Sequence, residues 1–411
     1  MNLLQISALI LVLAAAFGTI NALYLRLPTA IGILVVALLA SFAVMGIDLL
    51  IPAYGLADTV RAAVLEIDFS DTLLDWMLGL LLFAGALHVR LEDLRKEWPI
   101  ILLMATMGVA LSTAVAGLGF AALLGMPILI ALIFGALISP TDPVAVLGIL
   151  RAAKLDPSLE TRIAGESLFN DGVGYVVFLV LVGIAFPTDD NHATGLAGAG
   201  LLFVQEALGG AVLGLVLGWL TWQVMRRVDE YSLEVLLTLA LAFGGYELAI
   251  ALHVSAPIMA VCAGLLIGEI SHGDTISEST RDYIDAFWKL IDEILNAVLF
   301  LLIGLEVFAV AFGLDAVKAG IAGIVLSLLA RLAAVAIPIT LLRPFRRLGN
   351  DAIPIMTWGG LKGGISVALV LSLPDNEWKP LLLTATYMIV LFSILVQGLT
   401  VAPLAKRLTA N

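Results

Sequence analysis

Five ionisable side chains lie inside long apolar stretches of the sequence, where a charge needs a partner of opposite charge or has a function. They are Asp142, Glu166, Asp171, Arg331 and Lys362. Placing one such charge in hydrocarbon costs about 2.5–3.5 kcal/mol or more, so residues of this kind mark ion pathways, proton relays or internal ion pairs. The chemistry open to them is the binding of a proton or a cation.

Four oxygen-bearing side chains share one side of a predicted helix over residues 163–186. Glu166 and Asn170 are four residues apart, as are Ser167 and Asp171. Residues at this spacing are neighbours on a helix surface. The helix therefore presents two carboxylates, a hydroxyl and an amide on the same polar side.

More oxygen atoms come from the motif at residues 139–143, Ser-Pro-Thr-Asp-Pro, in the preceding apolar segment. Its two prolines remove two N–H donors, so the helix should open there and leave carbonyl groups free. Thr141 and Asp142 add a hydroxyl and a carboxylate. Hard oxygen ligands of this kind suit an alkali cation, whereas transition metals prefer His or Cys.

Asp171 is our candidate for the carboxylate that binds the transported ion. It lies about two turns into its segment, and a carboxylate within a membrane is a functional candidate by default. Such a group can hold a proton or a cation but not both, and this competition is sufficient for antiport. The alternative interpretation is that Asp171 belongs to an ion pair inside the helix.

The two buried cations need their own explanations. Arg331 cannot lose its proton and therefore requires an anion. Glu166 is the preferred partner, and Asp142 is an alternative that the sequence leaves open. Lys362 either balances charge at a second interrupted helix or extends to the cytoplasmic surface.

Composition sets the class of protein. Of 411 residues, 61% are hydrophobic and 13% are charged, with a mean hydropathy of +1.09. A soluble domain has about 25% charged residues, so a soluble enzyme is excluded. Long unbroken apolar runs predict an all-α polytopic membrane protein instead.

Several partners and cofactors are not expected. The net charge of −12 offers no basic groove for nucleic acid. The sequence has no P-loop, so no nucleotide is expected, and we do not predict an enzyme. Cys262 is the single cysteine and the four histidines are scattered, so no haem, zinc or other cofactor is predicted.

About thirteen apolar segments of about 20 residues predict transmembrane helices. Their limits are 3–22, 29–46, 72–88, 99–124, 127–150, 163–186, 196–224, 232–252, 256–271, 294–312, 317–342, 352–373 and 380–403. Residues 271–293 predict a short amphipathic helix on the cytoplasmic surface. One set of loops carries sixteen Lys and Arg residues and the other set only three. The richer set is predicted to be cytoplasmic, with the N-terminus outside and the C-terminus inside.

Two of these segments are interrupted. The fifth contains the Ser-Pro-Thr-Asp-Pro motif, and the twelfth contains four glycines and Lys362 within residues 357–364. They are seven segments apart, which gives them opposite orientations in the membrane. This pattern predicts an inverted-topology repeat with two broken helices that cross near the midplane.

Several motifs together resemble the cation:proton antiporter-1 (CPA1) family of monovalent cation/proton antiporters. They are Thr-Asp-Pro at 141–143, Gly-Glu-Ser-Leu-Phe-Asn-Asp-Gly at 165–172, Phe-Leu-Leu-Ile-Gly-Leu at 300–305, Trp-Gly-Gly-Leu-Lys-Gly-Gly at 358–364 and Val-Gln-Gly-Leu-Thr at 396–400. The resemblance covers essentially the whole chain. It is strongest to short prokaryotic Na⁺/H⁺ antiporters without a large cytoplasmic tail, which implies the inner membrane of a prokaryote and a role in pH homeostasis or sodium transport.

The resemblance also implies a homodimer and a division of the helices. Residues 1–98 and 226–312 would form the dimerisation scaffold, and residues 196–225 a linking helix. Residues 99–186 and 317–411 would form the core that moves with the ion.

The resemblance further implies a role for each residue of the polar cluster. Asp171 would bind Na⁺, Li⁺ or H⁺, and Thr141, Ser167 and Glu166 would help to coordinate Na⁺, directly or through water. Asp142 and Asn170 would shape the site, and Arg331 would pair with Glu166. The dyad Asn170-Asp171, in place of Asp-Asp, favours electroneutral exchange of one cation for one proton.

Two other functions remain open. A K⁺/H⁺ antiporter would use the same scaffold, and Lys-Gly-Gly at 362–364, where many relatives have Arg-Gly-Ala, leaves the ion preference open. A cation channel is less favoured, because a channel needs a continuous pore lined by repeated carbonyls or rings of charge.

Overall fold

The computed structural model describes residues 3–51, 55, 60–62, 77–142, 157–187, 196–228, 230–272, 278–308, 310, 313–344 and 351–409. These residues are mainly helical and include no strand. The helices are α1 Leu3–Ile20, α2 Thr29–Leu50, α3 Leu78–Leu87, α4 Leu91–Leu124, α5 Ile128–Leu137, α6 Pro157–Ala185, α7 Leu196–Met225, α8 Tyr231–Ala251, α9 Ala256–His272, α10 Glu278–Leu305, α11 Leu314–Leu342, α12 Ala352–Trp358, α13 Gly364–Leu371 and α14 Lys379–Leu408. The prediction of an all-α fold is confirmed.

Within this part of the chain, eight helices are long and apolar enough to cross a membrane: α1, α2, α4, α6, α7, α8, α11 and α14. Three shorter apolar helices, α3, α5 and α9, lie between them. Every predicted apolar segment overlaps a helix, although residues 72–76 of the third lie outside the described residues. The number of thirteen spans stays a prediction.

The predicted short amphipathic helix over residues 271–293 is instead part of longer helices: residues 271–272 end α9, and residues 273–277 lie outside the described residues. Residues 278–293 belong to α10, which continues without interruption into the apolar segment. Trp288 is fully buried, and its indole N–H donates to the Thr238 hydroxyl at 2.9 Å. Its ring also packs on Phe83, with ring centroids 4.7 Å apart. This half of α10 therefore packs into the helical bundle.

Small residues allow the helices to approach one another closely. α7 packs against α9, and α9 packs against α3. A Cβ atom added at Gly214 would overlap the Met259 carbonyl, and one at Gly268 would overlap the Leu87 carbonyl. Small residues at such positions are typical of helix contacts in membranes, where dispersion contacts must replace the hydrophobic effect.

The polar residues lie where two interrupted segments meet the long helices α6 and α11. α6 packs against α4 and α5, while α11 packs against α4, α12 and α14. α13 packs against α14, α5 and α10. These contacts bring the end of α5, the middle of α6 and α11, and the junction of α12 with α13 into one region. The division into scaffold, linking helix and core stays a prediction.

Candidate functional site

The first interruption follows α5 directly. Residues 139–142 are non-helical, as the two prolines predict, and residues 143–150 of this segment lie outside the described residues. The Ser139 hydroxyl donates to the Ala136 carbonyl at 2.9 Å and so closes the last turn. Pro140 has no N–H group, so the helix cannot continue through it with regular hydrogen bonds.

The second interruption separates α12 from α13. Residues 359–363 between them are non-helical. The backbone N–H of Asp142 donates to the backbone carbonyl of Leu361 at 2.8 Å. The two non-helical stretches therefore meet backbone to backbone, as expected where two broken helices cross near the midplane. We call this contact region the crossing.

Lys362 lies within this crossing and is 3% exposed. Its ammonium group donates to the carbonyls of Ser139 at 3.0 Å and Pro140 at 3.3 Å. Its backbone N–H donates to the Ser393 hydroxyl at 2.7 Å. The side chain points into the crossing and not to the membrane surface. Its charge lies beside the carboxyl end of α5, where the helix dipole favours a cation.

The polar side of α6 faces the first interruption and is deeply buried. Glu166, Ser167 and Asn170 are each 2% exposed, and Asp171 is 5% exposed. Burial of this many polar groups is tolerated only when their hydrogen bonds are satisfied by partners or by water. The hydrogen-bond partners of each side chain therefore indicate whether it has a structural role or a role in ion binding.

Hydrogen bonds from Asn170 and Ser167 hold the interruption against α6. The Asn170 amide donates to the Thr141 hydroxyl at 2.8 Å and accepts from the Thr141 backbone N–H at 3.3 Å. The hydroxyls of Thr141 and Ser167 lie 3.0 Å apart and share a hydrogen bond. Both ends of the Asn170 side chain are thus engaged in positioning Thr141.

Arg331 pairs with Glu166 and also caps α12. Its guanidinium donates to both carboxylate oxygens of Glu166, with Nη2 at 2.7 Å from Oε2. Nε and Nη2 donate to the Met356 carbonyl at 3.2 and 3.0 Å. Arg331 is 4% exposed. Among the two partners that the sequence left open for Arg331, the structure places Glu166 against the guanidinium, in bidentate geometry.

Asp171 differs from its neighbours on α6. One of its carboxylate oxygens, Oδ1, is buried and has no hydrogen-bond partner among the described residues. An unmet buried carboxylate oxygen is costly, so a proton, a water molecule or a cation is expected to satisfy it. The hydroxyls of Thr141 and Ser167, by contrast, already contact each other.

A cavity of about 450 Å³ connects the polar cluster to the surface. Thr141, Asp142 and Asp171 line its inner part. His88, directly after α3, and Lys289 on α10 also line it, and both residues are exposed, so the cavity reaches the surface. Asp171 can therefore be reached by water and small ions. Within the described ranges, no group of three or more His, Cys, Asp or Glu residues could hold a metal ion.

Sequence reasoning missed the contribution of α10 to this cavity. Lys289, Asp292, Glu293 and Asn296 all line it. Their spacing of three and four residues places them on one face of a helix, and this was the available signal. The amide of Asn296 donates to the Asp292 carboxylate at 3.0 Å. The sequence instead suggested a surface helix here.

The comparison with known families settles the class of protein. Residues 9–407 match the model of the transmembrane sodium/hydrogen exchanger family. The chain belongs to the sodium/hydrogen exchanger family. The resemblance inferred from the motifs is thereby confirmed, and the chain is a multi-pass transporter of this family.

Named relatives and a solved structure agree with this membership. The exchanger is 46% identical to the Na⁺/H⁺ antiporter NhaP of Pseudomonas aeruginosa, across 100% of this chain and 98% of the relative. It is 35% identical to the Na⁺/H⁺ antiporter NhaH of Halobacillus dabanensis, across 83% of this chain and 84% of that one. The fold matches that of the sodium proton antiporter MjNhaP1 from Methanocaldococcus jannaschii, with a TM-score of 0.77, 19% identity and full coverage of both chains.

Proposed function

We propose that this exchanger carries Na⁺ or Li⁺ against H⁺ across the membrane by secondary active antiport. The observation that carries the proposal is Asp171, a buried residue that lines a cavity reaching the surface and has one carboxylate oxygen without a partner in the described part of the chain. The names of its close relatives, which are Na⁺/H⁺ antiporters, support the choice of ions.

Exchange follows from competition at a single group. A protonated Asp171 cannot coordinate a cation, and a cation bound to the carboxylate displaces the proton. Because either ion neutralises the same carboxylate, the loaded site has the same charge in both halves of the cycle. We therefore propose electroneutral exchange of one cation for one proton.

The neighbouring side chains receive different roles in this proposal. Thr141 and Ser167 supply hydroxyl oxygens beside Asp171, while Asn170 and Asp142 shape the interruption. The bidentate contact of Glu166 with Arg331 supports a bracing role for both. Glu166 then reaches the ion at most through water, because both of its carboxylate oxygens are engaged.

The arrangement in the membrane is part of the same proposal. The loops rich in Lys and Arg are assigned to the cytoplasm of a prokaryotic inner membrane, with the N-terminus outside and the C-terminus inside. The cavity then faces the cytoplasm, since His88 and Lys289 lie next to those loops. Two copies of the chain would pair through residues 1–98 and 226–312, and residues 99–186 and 317–411 would move as the core.

The test measures proton movement in proteoliposomes on addition of Na⁺, Li⁺ or K⁺, with the membrane potential clamped and then free. Proton movement on addition of Na⁺ or Li⁺ that does not depend on the membrane potential supports electroneutral antiport. A response to K⁺ alone would instead make the protein a K⁺/H⁺ antiporter. Cation flux without proton movement would indicate a channel.

The matched variant is Asp171→Asn, which keeps the size of the side chain and removes its charge. We expect at least a hundredfold slower exchange, with insertion and thermal stability retained, because a neutral amide cannot exchange a proton for a cation. Exchange at the wild-type rate would refute the assignment of Asp171 as the carrier.

A further inference from the structure

The wall of the cavity formed by α13 carries a hydroxyl group that none of the roles above includes. Ser366 lies in the first turn of α13 and is 1% exposed. It lines the same cavity as Thr141, Asp142 and Asp171. Its hydroxyl oxygen has no hydrogen-bond partner among the described residues.

The interruption of the helix explains why this hydroxyl is unpartnered. Serine and threonine inside membrane helices usually donate to the carbonyl three or four residues earlier. Ser372 does so to Leu369 at 3.0 Å, and Thr384 does so to Pro380 at 3.0 Å. For Ser366 the corresponding residues are 362 and 363, which lie before α13 begins. Their non-helical backbone removes the usual acceptor.

Two residues that line the same cavity therefore each carry a buried oxygen without a hydrogen-bond partner among the described residues. Asp171 Oδ1 belongs to α6 and the Ser366 hydroxyl belongs to α13. The cavity of about 450 Å³ has room for several water molecules of about 30 Å³ each. Rotation of either side chain toward this space would bring its oxygen into contact with water or a partly hydrated cation there.

The local charges permit a cation near Ser366. The amino end of a helix carries roughly half a positive charge, which by itself would disfavour a cation. The ammonium group of Lys362, in the same crossing, adds to this positive charge. The carboxylates of Asp142 and Asp171 oppose both, and Asp142 lies against Gly363, where an added Cβ would approach Oδ2 to 2.8 Å. A hydroxyl can accept a cation through its oxygen lone pairs and still donate its own hydrogen.

We propose that Ser366 is a further ligand of the cation carried at Asp171, through its hydroxyl oxygen or through a water molecule that it holds. This inference rests on the proposed antiport function. It extends the ion site from α6 and the first interruption to the second interrupted segment. Both halves of the crossing then contribute to the coordination shell.

The test compares Ser366→Ala with wild type in proteoliposomes, using Na⁺ and then Li⁺ as the added cation. Loss of one oxygen ligand should raise the apparent KM for Na⁺ about five- to tenfold, with the maximum rate within about twofold of wild type. The KM for Li⁺ should change by a different factor, because the two ions differ in size. Ser366→Thr keeps the hydroxyl and should restore the KM.

The matched control is Thr386→Val, which removes another fully buried hydroxyl that has no partner within the described ranges and does not line the cavity. It should leave the KM for both ions unchanged. Ser366→Cys fills the volume of the hydroxyl with a poor Na⁺ ligand and should behave like Ser366→Ala if the alanine variant is unstable.

A KM for Na⁺ within twofold of wild type in both Ser366→Ala and Ser366→Cys would overturn the proposal. An equal rise in Thr386→Val would also overturn it, since the effect would then come from packing. Failure of the proposed function gives a different result, namely no proton movement in the wild type or no loss in Asp171→Asn.

Discussion

Removal of Arg331 gives the most demanding test of the buried ion pair. Arg331 and Glu166 are 4% and 2% exposed. The substitution Arg331→Met therefore leaves a carboxylate in a region of low polarity without its cation. Breaking a buried pair in this way costs about 3–5 kcal/mol. The variant also loses the two hydrogen bonds to the Met356 carbonyl.

Thermal unfolding of the detergent-solubilised protein measures this loss. One kcal/mol shifts the midpoint by about 2–4 °C in domains of about 150–250 residues. With about 2 °C per kcal/mol for this longer chain, Arg331→Met should unfold roughly 6–10 °C below wild type. Exchange should fall with stability, because the guanidinium holds α12 beside α6 and α11.

The same helix offers a matched control. Lys318, also on α11, forms an ion pair with Asp315 at 2.9 Å, and both side chains are exposed. Exposed pairs contribute at most about 1 kcal/mol, so Lys318→Met should melt within about 2 °C of wild type. The double variant Arg331→Met with Glu166→Gln should recover part of the loss. If Arg331→Met melts at the wild-type temperature, the pair is not a structural brace.

Two further predictions concern the crossing and the competition between ions. Lys362→Met removes the ammonium that contacts the Ser139 and Pro140 carbonyls, and charged hydrogen bonds are worth about 1.5–3 kcal/mol each. We expect an unfolding midpoint several degrees lower and at least tenfold slower exchange. A variant that matches wild type in both measurements would show that these hydrogen bonds do not stabilise the crossing. If H⁺ and Na⁺ compete for Asp171, the apparent KM for Na⁺ should rise as pH falls, toward about tenfold per unit once the site is mostly protonated. A KM that does not change with pH would exclude the competition.

The sequence predicted those parts of the site that have a residue signature. The spacing of Glu166, Ser167, Asn170 and Asp171 identified the polar side of α6, because a helix repeats every 3.6 residues. The prolines near Thr141 and the glycines near Lys362 identified the two interruptions. Both inferences depend only on local backbone chemistry, which is present in the sequence itself.

Contacts with backbone atoms could not be predicted in the same way. Lys362 contacts two carbonyls and Arg331 contacts the Met356 carbonyl, and every residue has a carbonyl group. The free hydroxyl of Ser366 also depends on where α13 begins, and element boundaries are the least certain part of a sequence prediction. The cavity face of α10 was missed because its charges resembled those of a surface helix.

The junction of the two interrupted segments is made largely by main-chain groups. The Asp142 N–H contacts the Leu361 carbonyl, and Lys362 contacts the carbonyls of Ser139 and Pro140. Side chains at positions 139 and 361 can therefore change during evolution while these acceptors persist. Alanine scanning there would miss the junction altogether. A change to the backbone itself, such as an ester in place of the amide of Asp142, would remove the N–H group that donates to the Leu361 carbonyl.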